Sequence, residues 1–373
     1  MERNPKKLMF ENREVFYGKG FGADIERVCE VVFNTSMVGY QEIFSDCSYN
    51  EQFVCMTYPL IGNYGMAAED YETLIPRIGG FIVREYNESL ANFRATKTLA
   101  KEMEEQGIPG IDGVDTRKIT RMIRDQGSMR AALCDADKSD AEALRFLESV
   151  PVPREQVKNV SCKKRWYMRA ANAQRNVVAV DCGVKLHILN GLTERGCNVT
   201  VTPYDTTAED VLALSPDGLF LSNGPGDPRD AQPLVRLVKE LKGKIPIFGI
   251  CLGHQIIALA HDAETYKLKF GHRGGNHPVK HLRTGKIEIT SQNHSYAVDA
   301  DSAEAAGLNI THVNLLDGTV EGLSDESGLI FSAQYHPESC PGPQDSAYLF
   351  DIFIKNMEAF REGSGSGAKA YGH

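Results

Sequence analysis

The fold of the carboxy-terminal half of the chain is indicated most clearly by the segment Phe248-Gly249-Ile250-Cys251-Leu252-Gly253-His254-Gln255. An apolar strand runs directly into Gly-x-Cys-x-Gly, and an apolar helix with Ile256, Ile257 and Leu259 follows. This is the pattern of a nucleophile elbow with cysteine in place of serine. The turn is so sharp that the positions two residues before and after the cysteine have to be small, and both are glycine. We predict that Cys251 is a nucleophile whose negative charge is stabilised by the amino terminus of the following helix.

On either side of this stretch, short apolar strands alternate with helices. The pattern predicts strands at 177–180, 199–201, 218–221 and 245–248, and helices at 185–195 and 208–214. Such an order indicates an α/β fold with a mostly parallel sheet that is flanked by helices on both faces. In these sheets ligands bind at the carboxyl ends of the strands, where Cys251 is expected. Further strands are predicted at 287–290, 296–298, 310–313 and 329–333, and a last helix at 347–360.

The amino-terminal part of the chain has a different pattern. Strand-like runs at 28–33, 53–57 and 80–83 are mixed with helical stretches at 98–106 and 116–125, which predicts an α+β domain of the β/β/α type. Prolines and charged residues follow, and they indicate a linker. We therefore divide the chain into an amino-terminal domain at 1–150, a linker at 151–175, a second domain at 176–361 and a Gly/Ser-rich flexible tail at 362–373.

Composition excludes several classes of function. The chain has 373 residues and a formal net charge of -9, which gives no indication of nucleic-acid binding. It contains no apolar run of membrane-spanning length and no secretory signal at its polar amino terminus, so we expect a cytoplasmic protein. The nine cysteines include no Cys-x-x-Cys pair. We expect most of them to be small buried hydrophobic residues, namely Cys29, Cys55, Cys134, Cys162, Cys182 and Cys197.

A candidate base lies about 85 residues after the elbow, in Phe331-Ser332-Ala333-Gln334-Tyr335-His336-Pro337-Glu338. The predicted strand delivers His336 to a loop, and Glu338 follows two residues later. Histidine can take the proton of a thiol and give it to a leaving amine. A carboxylate partner fixes the histidine tautomer and stabilises the imidazolium. Cys251, His336 and Glu338 are therefore the predicted catalytic residues.

The loop Ser222-Asn223-Gly224-Pro225-Gly226-Asp227-Pro228 is the third candidate segment. It follows a predicted parallel strand and is expected at the same sheet edge as Cys251. Its small residues allow backbone N–H groups to approach a ligand. We predict that the N–H groups of Gly224 and Leu252 form an oxyanion hole.

These three segments, in the chain order 222–228, 248–255 and 336–338, resemble the signatures of the class I, or triad, glutamine amidotransferases. The resemblance implies that Cys251 attacks the amide of glutamine, that ammonia leaves, and that a thioester is hydrolysed to glutamate.

Nearly the whole chain, except the linker and the tail, resembles a more specific family, the small chains of carbamoyl-phosphate synthetase. The resemblance lies in the segments 33–42, 58–65, 115–118 and 270–279. It implies a large partner chain that binds ATP, Mg²⁺ and bicarbonate and receives ammonia through a tunnel. The chain itself has no Gly-x-x-x-x-Gly-Lys-Ser/Thr loop, and we expect no cofactor in it. Whether the product serves pyrimidine or arginine biosynthesis stays open.

The family resemblance also implies a glutamine pocket. Ser295 departs from the glycine that is common in the family, so its backbone is the expected contact. The segment 181–185 is similar to the family as well, but His187 stands where the family has asparagine, and we assign this segment no role. The implied pocket residues are Ser48, Gly224, Gly226, Leu252, Gln255, Asn293, Ser295 and Tyr296.

Several histidines have other possible roles. His272, His277 and His281 are spaced by glycine and proline, which favours a folded loop, so no metal site is expected. His254 is expected to pack or hydrogen-bond locally. Two alternative functions stay open at this point: a stand-alone amide hydrolase on the same fold, and a catalytically inactive regulatory scaffold.

Overall fold

A computed structural model describes residues 3–363, so most of the predicted tail at 362–373 lies outside the described residues. The chain forms two compact units, one containing residues up to Pro153 together with Lys269–Arg273, and one containing the remainder. Among the described residues, no helix has the length and apolar character needed to cross a membrane.

The first unit is built from a closed barrel and short helices. Its seven barrel strands follow the order β1-β2-β8-β6-β4-β3-β9. The neighbouring pairs β3–β4, β4–β6 and β6–β8 are parallel, and the other four pairs are antiparallel. Its elements are β1 (Pro5–Phe10), β2 (Val15–Gly22), β3 (Arg27–Asn34), α1 (Tyr40–Ser45), β4 (Gln52–Met56), β5 (Leu60–Ile61), β6 (Gly80–Ile82), β7 (Glu85–Tyr86), α2 (Leu99–Glu105), β8 (Pro109–Asp112), α3 (Thr116–Gln126), β9 (Met129–Asp135) and α4 (Asp140–Ser149).

Successive residues of the barrel strands belong to two different hydrophobic cores, which are the main cores of this unit. In β3, Val31 joins a core that includes Ile119 and Ile123 of α3. Its neighbour Val32 joins the opposite core, which includes residues of α1 and α2 such as Phe44. Successive strand residues point to opposite faces, so a continuous apolar run fills both cores.

The second unit contains a ten-stranded sheet with the order β10-β12-β11-β13-β14-β19-β18-β17-β15-β16. Residues 269–273 of β15 belong to the first unit. The elements are α5 (Gln156–Val160), β10 (Trp166–Met168), β11 (Arg175–Asp181), α6 (Leu186–Thr193), β12 (Cys197–Pro203), α7 (Ala208–Ala213), β13 (Gly218–Leu221), α8 (Gln232–Leu241), β14 (Ile247–Ile250), α9 (Leu252–Ala260), β15 (Thr265–His281), β16 (Ile287–Val298), α10 (Ala300–Ala305), β17 (Asn309–Asn314), β18 (Val320–Ser324), β19 (Ile330–Ala333) and α11 (Tyr348–Arg361).

The five strands β12, β11, β13, β14 and β19 are parallel, which confirms the predicted α/β fold. In β11, Val177 and Ala179 pack in a core with α6 and α11. Val178 and Val180 pack in a second core with α7, α8 and α9. The apolar runs are continuous because helices bury both faces of the sheet.

The stretch predicted as a linker differs from the structure. Residues 154–175 belong to the second unit, where they form α5 and β10. Strand β10 pairs antiparallel with β12, and Val157 of α5 is buried in the core shared with α8. A three-residue strand takes its conformation from the neighbouring strand, so local composition could not reveal it. Similarly, the separate strands predicted at 287–290 and 296–298 are one continuous strand, β16.

Most of the cysteines are buried thiols. Of the six predicted to be buried, Cys162 is partly exposed and the others are buried. Burial raises the pKa of Cys55 to about 12, because a thiolate is poorly solvated in an apolar core. Cysteines in such surroundings are packing residues and poor nucleophiles.

Phe248 lies at the centre of the aromatic core in the second unit, and its replacement tests how much this packing contributes to stability. Its fully buried ring stacks on Phe331 at a centroid distance of 4.4 Å and touches Phe220, Phe350 and Phe353. We expect Phe248→Ala to lower the free energy of unfolding by about 3–5 kcal/mol, because it removes these contacts and leaves a cavity.

Urea denaturation measures this change. The control Leu316→Ala removes a side chain that is 66% exposed, and it should change the free energy of unfolding by less than about 0.5 kcal/mol. Equal losses in the two variants would contradict the assignment of this core.

Candidate active site

The elbow joins β14 to α9 at Cys251. Its backbone has φ 54° and ψ -101°, a conformation that side-chain-bearing residues rarely adopt. The Cys251 N–H donates to the Ala333 carbonyl at 2.8 Å. A Cβ atom on Gly249 would lie 2.6 Å from the Gly253 backbone, and one on Gly253 would lie 2.4 Å from the Leu221 carbonyl oxygen. Both glycines are therefore required by direct backbone contact.

His336 and Glu338 form a buried pair beside the elbow. His336 Nδ1 lies 2.7 Å from Glu338 Oε1, and the imidazole also interacts with the Cys251 thiol. The His336 N–H donates to the Ser291 carbonyl at 2.9 Å, which ties the loop after β19 to β16. With Nδ1 held by the carboxylate, Nε2 is the nitrogen available to exchange a proton with the thiol.

The charges of this pair stabilise each other. Burial disfavours ionisation of His336, but the Glu338 carboxylate and the Cys251 thiol outweigh it and raise the pKa of His336 above its ordinary value. Burial also opposes ionisation of Glu338, and Lys185 and His336 together lower the pKa of Glu338 well below its ordinary range. The site therefore favours an ionised carboxylate facing a histidine that readily holds a proton.

The predicted oxyanion loop lies against the start of α9. A Cβ atom on Gly224 would lie 2.2 Å from the Cys182 carbonyl oxygen and 2.9 Å from the Leu252 side chain. Gly226 has φ +87°, a value that favours glycine. Asp227 forms a side-chain hydrogen bond with Tyr296. The loop after β13 therefore contacts two other segments that carry predicted pocket residues.

Strand β16 forms another side of the site. The Cys251 thiol donates to the Asn293 carbonyl at 3.5 Å. The Gln255 side-chain amide donates to the Tyr296 carbonyl at 2.8 Å and to Gln334 Oε1 at 2.9 Å. The structure thus connects Gln255, Asn293 and Tyr296 to the elbow, and Ser295 lies between the last two on the same strand.

Ser48 belongs to the first unit. It lies in the short 3₁₀ helix Cys47–Tyr49, is buried, and donates its backbone N–H to Asp46 Oδ1 at 2.8 Å. Its predicted contact with glutamine stays a prediction.

The local role expected for His254 is confirmed. His254 is fully buried, and its Nδ1 lies 2.9 Å from Ser332 Oγ. Burial lowers the pKa of His254 to about 3, so the ring is neutral. This histidine packs inside the domain and leaves the base role to His336.

Both halves of the chain match models of known protein families. Residues 178–356 match the family model described as glutamine amidotransferase class-I, and residues 8–133 match the model described as carbamoyl-phosphate synthase small chain, CPSase domain. The carbamoyl phosphate synthase small chain of Fusobacterium nucleatum is 50% identical over 353 residues, covering 95% of this chain and 98% of that protein.

The chain belongs to the carbamoyl phosphate synthase small chain family. Other members are similarly close. The small chain of Staphylococcus epidermidis is 50% identical over 95% of this chain and 96% of its own length. That of Listeria monocytogenes is 48% identical over 95% of this chain and 98% of its own length.

Lys185 is a residue of this family member's site to which the sequence analysis assigned no role. Its Nζ donates to Glu338 Oε1 at 2.9 Å and to the Cys340 carbonyl at 2.6 Å. The two charged side chains are only 4% and 1% exposed. The Lys185 N–H donates to Asn223 Oδ1 at 3.2 Å. Its position could have indicated this role, because Lys185 follows a parallel strand at the sheet edge where Cys251 was expected.

Replacement of this lysine gives a testable outcome. We expect Lys185→Met to lower the free energy of unfolding at neutral pH by about 3–5 kcal/mol, because it removes one partner of a buried ion pair and leaves the Glu338 carboxylate with His336 alone. The depressed pKa of Glu338 contributes stability above the pKa of an unfolded glutamate, and this contribution is lost as the pH falls through the folded value. Without Lys185 the folded pKa rises, so the acid loss of stability and of glutamine hydrolysis should move to higher pH.

Chemical denaturation and the pH profile of glutamine hydrolysis measure both effects. The control Lys239→Met breaks an exposed ion pair with Asp262 and should cost less than about 1 kcal/mol. An unchanged acid limb in Lys185→Met would show that this lysine does not control Glu338.

Proposed function

We propose that this chain is the glutaminase subunit of carbamoyl phosphate synthase. The observation that carries the proposal is the buried Cys251, His336 and Glu338 arrangement in a chain of this family. Glutamine is hydrolysed here to glutamate and ammonia, and a large synthetase chain uses the ammonia to make carbamoyl phosphate.

The proposed chemistry begins with proton transfer from the Cys251 thiol to His336 Nε2. The sulfur attacks the amide carbon of glutamine, and the N–H groups of Leu252 and Gly224 donate to the oxyanion that forms. His336 then gives its proton to the leaving nitrogen, and ammonia departs as the C–N bond breaks. A water molecule, deprotonated by His336, attacks the thioester. The C–S bond breaks as glutamate leaves, and His336 gives the proton it took from water to the sulfur, which restores the thiol.

The remaining pocket residues are proposed to bind and orient glutamine. Gln255 directs its amide donors to the Tyr296 carbonyl and to Gln334, so it acts by holding β16 next to the elbow. This position aligns the backbone of Asn293 and Ser295 with the thiol. Gly226 completes the proposed set in the second unit, and a contact of Ser48 with glutamine stays a prediction from the family resemblance.

The partner chain is proposed to supply the energy for carbamoyl phosphate synthesis. A large synthetase chain would bind ATP, Mg²⁺ and bicarbonate, while this chain needs no cofactor of its own for thiol chemistry. A cytoplasmic location is proposed because all nine cysteines are free thiols, as is usual in the reducing environment of the cytosol.

The two alternative functions are less well supported. A stand-alone amide hydrolase does not require an amino-terminal region that matches the small-chain model over residues 8–133. An inactive scaffold does not require His336 and Glu338 to stay paired at 2.7 Å beside a cysteine in a strained elbow.

Removal of the nucleophile separates the two activities of the assembly. We expect Cys251→Ala to abolish glutamine-dependent carbamoyl phosphate synthesis by the complex, because no thioester can form. Synthesis from free ammonia should stay intact, since that chemistry belongs to the partner. The control Cys162→Ala replaces a partly exposed cysteine of the same unit and should retain both activities. Loss of both activities in Cys251→Ala alone would contradict this division of labour.

A diazo-ketone analogue of glutamine tests the nucleophile directly. We expect one adduct on Cys251, located by intact mass and peptide mapping, because only this cysteine combines an elbow with an adjacent base. Excess glutamine should prevent the adduct. No adduct, even with the partner chain present, would favour the scaffold over the enzyme.

A further inference from the structure

A second candidate site lies within the first unit, in a cavity of about 730 Å³. Four arginines line it, and we call it the arginine cavity: Arg84, Arg117, Arg121 and Arg124. Its other lining residues are three threonines, one proline and Asp115. Such a concentration of guanidinium groups is unexpected in a chain with a net charge of -9.

Helix α3 provides three of the four arginines. Arg117, Arg121 and Arg124 are spaced by four and three residues, which places them on one helical face. The opposite face carries Ile119 and Ile123, which are fully buried. The core therefore fixes α3 in rotation, so its arginine face is directed outward on a rigid support.

The fourth arginine comes from a different part of the chain. Arg84 follows β6, and its carbonyl accepts from the Gly113 N–H at 3.2 Å, just before α3 begins. Guanidinium groups thus reach the arginine cavity from two directions. Two independent supports are what a ligand site needs to surround a small molecule.

Few of these positive charges are neutralised within the described residues 3–363. Arg84 and Arg117 form no ion pair there. Arg124 pairs with exposed Asp125 at 2.9 Å, and the charge of Arg121 acts on the same carboxylate without a close contact. The carboxylate of Asp115 accepts from the Lys118 N–H at 2.9 Å as the amino-terminal cap of α3.

We infer that the arginine cavity binds a small oligoanion carrying two or more phosphate or carboxylate groups. Guanidinium forks bind both groups in a bidentate manner, and the hydroxyl of Thr57 adds a neutral donor. The volume lies within the range of roughly 300–1,000 Å³ that small-ligand sites occupy. A protein-docking surface would be expected to have an apolar centre, and one proline does not provide it.

Isothermal titration calorimetry of the full chain with pyrophosphate tests the proposal at about 0.15 M salt. We expect saturable one-site binding that weakens by about tenfold or more in Arg117→Ala/Arg121→Ala, because two bidentate contacts are lost. Citrate, titrated separately, distinguishes a phosphate ligand from a carboxylate ligand. Absence of saturable binding to both probes would overturn the proposal.

The control variant is Arg145→Ala, which removes an exposed arginine from α4 of the same unit. It should bind the preferred probe like the unmodified chain, and thermal unfolding should show that all variants are folded. An equal loss of affinity in the control would indicate unspecific charge attraction and overturn the site. Loss of binding when the large synthetase chain associates would identify the arginine face as a protein interface, and the small-ligand proposal would be wrong.

Discussion

The buried ion pair between Lys185 and Glu338 is the interaction on which the candidate active site depends. Removing two charges almost fully from water costs free energy. Each charge is tolerated because Lys185 Nζ lies 2.9 Å from Glu338 Oε1. Lys185 also donates to the Cys340 carbonyl, so it holds the loop after Glu338. The pair thereby joins the end of β11 to the loop after β19. This connection also positions His336, because its Nδ1 is hydrogen-bonded to the same carboxylate oxygen of Glu338.

The parallel sheet explains why these groups meet. Strands β11, β13, β14 and β19 are neighbours with the same direction, so the loops that follow them emerge at one edge. Lys185, Gly224, Cys251 and His336 each follow one of these strands. Backbone contacts then set the fine geometry, since the glycines around Cys251 leave no space for a side chain. Nucleophile, base and oxyanion loop are thus positioned by the parallel strands and by direct backbone contacts.

Local patterns predicted several elements closely. The strand predicted at 218–221 is Gly218–Leu221, and the last helix differs by one residue at each end. These elements are long or strongly apolar, so their sequence and their environment favour the same conformation. The linker prediction was wrong for the opposite reason. Strand β10 is short and exposed, and its pairing with β12 gives it a conformation that its own composition does not specify.

The sequence by itself determined the class of chemistry. The Gly-x-Cys-x-Gly elbow between a strand and a helix, followed by His336 and Glu338, identified the catalytic candidates, because a strained turn permits few residue types and leaves a distinct pattern. Only the tertiary structure decided how the charges are compensated. Lys185 and Glu338 lie 153 residues apart, and nothing in either local sequence indicates the other. A buried charge requires a partner in space, and adjacency in space is set by the order of strands in the sheet.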